Sequence, residues 1–155
     1  MSTGSPPDAS RVTAPTRRVV RTAVGVEPLD VEEHARLVGD RAAGAVVTFA
    51  GVVRDHDHGV PVRELEYVGH PSASDVLAAV AAEVVADSPV DAVAVSHRLG
   101  HLDIGDVALA VAVSAAHRGE AFAVCARLVD EVKDRLPVWK HQHFTDGTSE
   151  WVSCP

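Results

Sequence analysis

Lysine is almost missing from this chain. Of 155 residues and 14 cationic side chains, only Lys133 and Lys140 are lysine, and the other twelve are arginine. A sequence that writes arginine wherever it needs a plain positive charge, yet sets both lysines within eight residues, points to a need for an amine. An ε-ammonium is a compact charge that can act as nucleophile or proton donor, whereas guanidinium stays protonated. Cysteine is equally scarce. Cys125 and Cys154 are too few for a disulfide framework and lack metal-ligand spacing, and Cys125 sits in a helical pattern that reads as core. Aromatics make up 4%, which leaves the core to alanine, valine and leucine. Positive charge is in deficit, with a net charge of -8, which argues against bulk binding to nucleic acid or an anionic membrane. An anionic ligand would need a local cluster of cations set against the overall field. No apolar run is long enough to span a membrane and no signal-peptide core opens the chain, so the cytoplasm is the expected compartment.

What is present reads as a leader followed by one domain. Residues 1–16 are rich in Ser, Thr, Pro and Gly and are expected to be disordered, with a single domain over 17–155. Arg17 to Val26 alternates weakly, as a strand does. Asp30 with Glu33 has capping-box character and opens a short helix to about Val38. Gly44 to Arg54 is apolar and β-branched, a buried strand that runs into the polar loop Asp55 to Gly59 and returns through Val62 to Tyr67 as a hairpin-like partner. Ser72 with Asp75 is the expected start of the next helix. Asp91 to Leu99 and Val107 to Val113 are strands separated by a turn at His101 to Asp106. A helix follows Arg118, with Phe122, Cys125, Leu128, Val129, Val132 and Leu136 as its apolar face, and Pro137 stops it. Val138 to Phe144 is a short strand, Asp146-Gly147 a turn, and Trp151-Val152 closes the chain. Hairpins mixed with helical crossovers favour an α+β sandwich with a mixed or antiparallel sheet.

Three cationic groups stand at element ends: Arg54, the pair His117-Arg118 before a helix N-terminus, and the two lysines around Pro137. Converged, they would hold a phosphate or carboxylate. The histidines suggest a competing reading. His56-x-His58 and His141-x-His143 each set two imidazoles on one side of an extended segment, as a metal-dependent hydrolase would, but no HExxH motif, cysteine pair or clear third ligand accompanies them. A third reading is a non-catalytic scaffold that binds a protein tail or an anionic metabolite. Lysine scarcity separates these. A hydrolase has no use for two lysines around Pro137, and a scaffold could use arginine equally well.

Five stretches, in order, resemble the catalytic subunit of molybdopterin synthase. They are Gly44 to His56, Glu66-Tyr67 with His70-Pro71, His97 to Gly100 with Gly105-Asp106, Ser114-Ala-Ala-His117-Arg118 with Ala121-Phe122, and Lys133 through Pro137-Val-Trp139-Lys140 to Trp151-Val152. The resemblance covers the chain from about Val19 onward and implies an α/β hammerhead fold. It implies conversion of cyclic pyranopterin monophosphate to molybdopterin by addition of two sulfurs. The sulfur is supplied by a thiocarboxylate on the C-terminal Gly-Gly of a small ubiquitin-like partner, in a heterotetramer built on a homodimer. No cofactor or metal of its own is implied. By the same resemblance Lys133 and Lys140 are catalytic, and Val52, Val53, Arg54, His117, Arg118, His141 and Gln142 join them in binding substrate. The family often has a glutamate two residues after the second lysine, where this chain has Gln142, and many members continue past Trp-Val with a basic segment absent here.

Overall fold

The computed structural model describes residues 13–154, without the side chain of Cys154. Most of the expected leader, residues 1–12, lies outside the described residues. From Thr16, whose hydroxyl donates to the Asp91 carbonyl at 2.7 Å, the chain is tied to the body of the protein.

Alternation along two strands explains the first layer. β5 (Ala92–Arg98) and β7 (Val107–Ala115) are antiparallel neighbours. Both set alanine and serine on one face and valine or leucine on the other. β1 (Arg18–Gly25) joins β5 in parallel and β2 (Ala45–Val52) joins β7 antiparallel, giving a mixed sheet in the order β1-β5-β7-β2. The small-residue face, with Ala92, Ala94 and Ala112, takes the seven-residue helix α1 (Val31–Leu37) through Val38. Asp30 caps α1 by accepting from the Glu33 N–H at 3.1 Å. Buried His34 locks this helix down: its Nδ1–H donates to the Asp30 carbonyl, and Nε2 accepts from the Ser96 hydroxyl, both at 2.7 Å. The valine face, with Val93, Val95, Val111 and Val113, packs under α2 (Ala73–Ala86) and α3 (Arg118–Arg135) to form the main core.

The second layer is a curled antiparallel sheet. β4 (Val60–Gly69) is its centre, with β8 (Val138–Phe144) and then β9 (Ser149–Cys154) on one side. On the other side lie β3 (His56–Asp57) and β6 (Gly100–Asp103). The expected α+β sandwich with mixed and antiparallel sheets is therefore the observed architecture. No helix among the described residues is long and apolar enough to cross a membrane.

Three local expectations change. The segment expected as a turn at His101 to Asp106 begins as strand β6, because Leu102 buries its side chain opposite Leu65 and only Ile104 to Asp106 turn. Ser72 does not cap α2 with its side chain. Its N–H and hydroxyl are both directed at His70 Nδ1, at 3.1 and 2.8 Å. Phe122 is 61% exposed and leaves the apolar stripe of α3, which Ala121, Val124, Cys125, Leu128, Val129 and Val132 fill. It lies at the margin of that stripe in the second turn, where no element covers it. Cys125 is buried as expected, and desolvation raises its thiol pKa, so it is a core group.

Candidate active site

Where the two sheets meet the end of α3, a cleft of about 330 Å³ opens, a volume suited to a small ligand. Strand alternation decides what faces it. From β8, Lys140 and Gln142 point in beside Val138, while Trp139, His141 and His143 point away. From β4, Leu65 and Tyr67 line the cleft, and the end of β2 contributes Val52, Val53 and Arg54. Lys133 reaches it from the last turn of α3, which Leu136 ends before Pro137. The two lysines and Arg54 thus converge on one cleft in an acidic protein. Neither lysine makes a hydrogen bond or ion pair among the described residues, so both amines are available to a ligand.

The hairpin after β2 supplies a carboxylate that sequence reasoning missed. His58 and Gly59, at φ 48° and 78°, form a two-residue turn with both backbones left-handed, which joins Asp57 directly across to Val60. Asp57 is thereby turned back toward the cleft. Its Oδ2 accepts from Gln142 Nε2 at 2.6 Å, and its Oδ1 accepts from the Arg54 guanidinium at 3.2 Å. The Gln142 amide, opposed by burial and helped by the neighbouring His58 and Lys140 and by the hydrogen bond from Arg54, holds the Asp57 carboxyl below the ordinary carboxylate range. Gln142 is 2% exposed, so this is a fixed contact. The carboxylate that the sequence lacks two residues after Lys140 is present in space, delivered from another strand.

His97 is a second missed residue. It follows Val93 and Val95 on the inward face of β5 and enters the cleft edge-on to Tyr67, with ring centroids 4.9 Å apart. Burial, opposed by its hydrogen bond to the Arg98 carbonyl and reinforced by the nearby Lys133 charge, lowers its pKa to about 4. At neutral pH it is therefore an uncharged imidazole whose Nδ1–H donates to that carbonyl, which leaves Nε2 as an acceptor toward the cleft.

Three of the expected site residues do not line this cleft. His117 and Arg118 stand at the N-terminus of α3, fifteen residues before Lys133. At helical rise that is about 22 Å away. His141 faces outward and stacks on Trp151, with centroids 4.3 Å apart and planes 8° from parallel. The His56-x-His58 pair does not converge either. His56 bonds Asp55, and His58 sits on the exposed turn.

Residues 24–135 match the MoaE protein family. The chain belongs to that family. A molybdopterin synthase catalytic subunit from Nostoc is 41% identical over 133 residues, covering 84% of this chain and 81% of the relative. The crystal structure of molybdopterin synthase from Staphylococcus aureus superposes with a TM-score of 0.78 at 32% identity, covering 84% of this chain and 95% of that one. A complex of subunits 1 and 2 of molybdopterin-converting factor from Helicobacter pylori shares the fold, with a TM-score of 0.63 at 18% identity.

Proposed function

We propose that the cleft transfers sulfur to cyclic pyranopterin monophosphate, forming the dithiolene of molybdopterin, and that the sulfur arrives as the thiocarboxylate on the C-terminal Gly-Gly of a small ubiquitin-like subunit. The observation that carries this reading is the convergence of Lys133, Lys140 and Arg54, with both lysines free of ion pairs, on one small cleft. The reaction brings an anionic thiocarboxylate against an anionic phosphate ester. Fixed positive groups offset that repulsion and stabilise charge that develops on the carbonyl and leaving oxygens. Lys133 sits beside the incoming carbonyl, where its amine can also take the spent acyl group or pass a proton, and Lys140 stands over the substrate. Arg54 contacts the phosphate, and the Asp57–Gln142 pair fixes Arg54 and orients Lys140. No cysteine faces the cleft among the described residues, in keeping with sulfur brought by a partner.

His117 and Arg118 take part through a second copy of the chain, because their own cleft is beyond reach along α3. That requirement calls for a homodimer at the centre of a heterotetramer, and the two-subunit Helicobacter complex of the same fold is in keeping with a small-subunit partner. The test is reconstitution. The protein, a thiocarboxylated ubiquitin-like partner and cyclic pyranopterin monophosphate are mixed, and molybdopterin is read as its fluorescent oxidised derivative. Product should form and should vanish with Lys133→Ala, while partner docking and the folded spectrum persist. Turnover near the wild-type rate in that variant would remove Lys133 from the mechanism.

A further inference from the structure

His101, His141 and His143 lie on the side of the second sheet that faces away from the cleft. Strand pairing puts Glu64 of β4 between Asp103 of β6 and His143 of β8 in one row, and Glu66 between His101 and His141 in the next. Directly paired residues share a face, so three imidazoles and three carboxylates lie together across three strands. His101 Nε2 lies 2.8 Å from Glu64 Oε2 and 3.5 Å from Asp103 Oδ1, and the ligand atoms of all three residues fall within 4.8 Å of one another. Ligand atoms around a tetrahedral zinc, with bonds of about 2.1 Å, stand about 3.4 Å apart. The spacing is already near that of a bound ion.

We propose that Glu64, His101 and Asp103 form a three-ligand binding site for a divalent first-row cation of the zinc class. The donor set, nitrogen from imidazole and oxygen from carboxylate, suits such borderline ions. His143 is directly opposite Glu64 across the β4–β8 pair, at the edge of this cluster. The Arg63 guanidinium holds the other Glu64 oxygen at 3.3 Å, which leaves Oε2 turned toward His101. A bound ion would staple β6 to β4, the strand that also pairs with β8. The opposite faces of β4 and β8 carry Leu65, Tyr67, Lys140 and Gln142 into the cleft, so the ion would brace the cleft wall without entering the chemistry.

The full chain, stripped with chelator, is titrated with zinc chloride by calorimetry and followed by thermal unfolding. One equivalent should bind and raise Tm. His101→Ala and Asp103→Asn, both at exposed positions, should each weaken binding at least tenfold and abolish the Tm gain, while His58→Ala on the hairpin turn leaves both unchanged. Absence of binding by the wild type, or binding that His101→Ala and Asp103→Asn leave intact, would overturn the site. Sulfur transfer is read separately, and its presence or absence does not decide this outcome.

Discussion

Gln142→Glu tests how the cleft is wired. The change replaces one amide nitrogen by oxygen at a position that is 2% exposed, so volume and packing are kept and only the electrostatics differ. In the wild type the amide donates to Asp57 at 2.6 Å, whereas the variant sets two carboxylates face to face. At 4 Å and an effective dielectric of about 20, their repulsion is about 4 kcal/mol. The protein's alternative is to keep a proton on the introduced acid, which then donates to Asp57. Holding that proton costs about 1.4 kcal/mol for each pH unit above an ordinary value of about 4.3, hence about 1 kcal/mol at pH 5 and about 4 at pH 7. Arg54 and Lys140 offset part of either cost, so a loss of about 3 kcal/mol is expected near neutrality. The sign follows from a folded-state pKa raised above the unfolded one. The unfolded chain releases the proton first, and stability falls as pH rises from about 4.3 toward the shifted value. Urea unfolding of wild type, Gln142→Glu, Asp57→Asn and the double variant, at about pH 5 and about pH 7.5, reads this directly. The double variant should recover most of the loss, because an amide at the hairpin position can donate to the new carboxylate. Equal stability of Gln142→Glu and wild type at the higher pH, or a loss that Asp57→Asn fails to relieve, would refute the contact.

Three further outcomes follow from His97 and Arg118. His97, with its pKa lowered to about 4, is neutral in the fold while the unfolded imidazole titrates at 6.5. Its contribution is complete above about pH 6.5 and falls by about 3 kcal/mol as pH drops to about 4, and His97→Gln should flatten that part of a stability–pH curve measured by urea unfolding. An unchanged slope would show that another group titrates there. Arg118→Ala should weaken substrate binding by about 1.5–3 kcal/mol in equilibrium titration, the range for a charge-assisted contact. Mixed dimers of Arg118→Ala with Lys133→Ala should turn over at wild-type substrate affinity, which neither variant shows alone, since one shared cleft is then intact. Failure of mixed dimers to complement would place Arg118 outside the partner's cleft.

Periodicity made much of the fold legible. Alternation in Ala92 to His97 and in Val107 to Ala115, the apolar stripe of α3 and the stop at Pro137 each correspond to an observed element, because in each case local pattern and burial agree. What stayed hidden depends on partners distant in the chain. His101-Leu-Asp-Ile-Gly-Asp has the composition of a turn, and only pairing with β4, almost forty residues earlier, makes its first half a strand. Asp57 belongs to a polar loop by sequence, and its role rests on a hydrogen bond to Gln142 across 85 residues. His97 was within reach, since the same alternation that buries Val93 and Val95 on one face puts it there too.

Strand β8 shows most plainly why sequence reasoning set lysine chemistry against metal binding. Lys140, His141, Gln142 and His143 are consecutive, so a linear reading must choose which pair defines the function. A strand needs no such choice, because its period of two sends neighbours to opposite faces. Lys140 and Gln142 enter the cleft, where Asp57 and Arg54 meet them, while His141 stacks on Trp151 and His143 lies opposite Glu64 on the outer face. The transfer chemistry proposed for one face and the cation site proposed for the other are therefore independent. A one-residue slip of β8 against β4 would exchange its faces and turn Lys140 and Gln142 out of the cleft. The contacts that pin this register, Leu65 opposite Gln142 and Val62 opposite Phe144, are for that reason as necessary to the cleft as the lysines themselves.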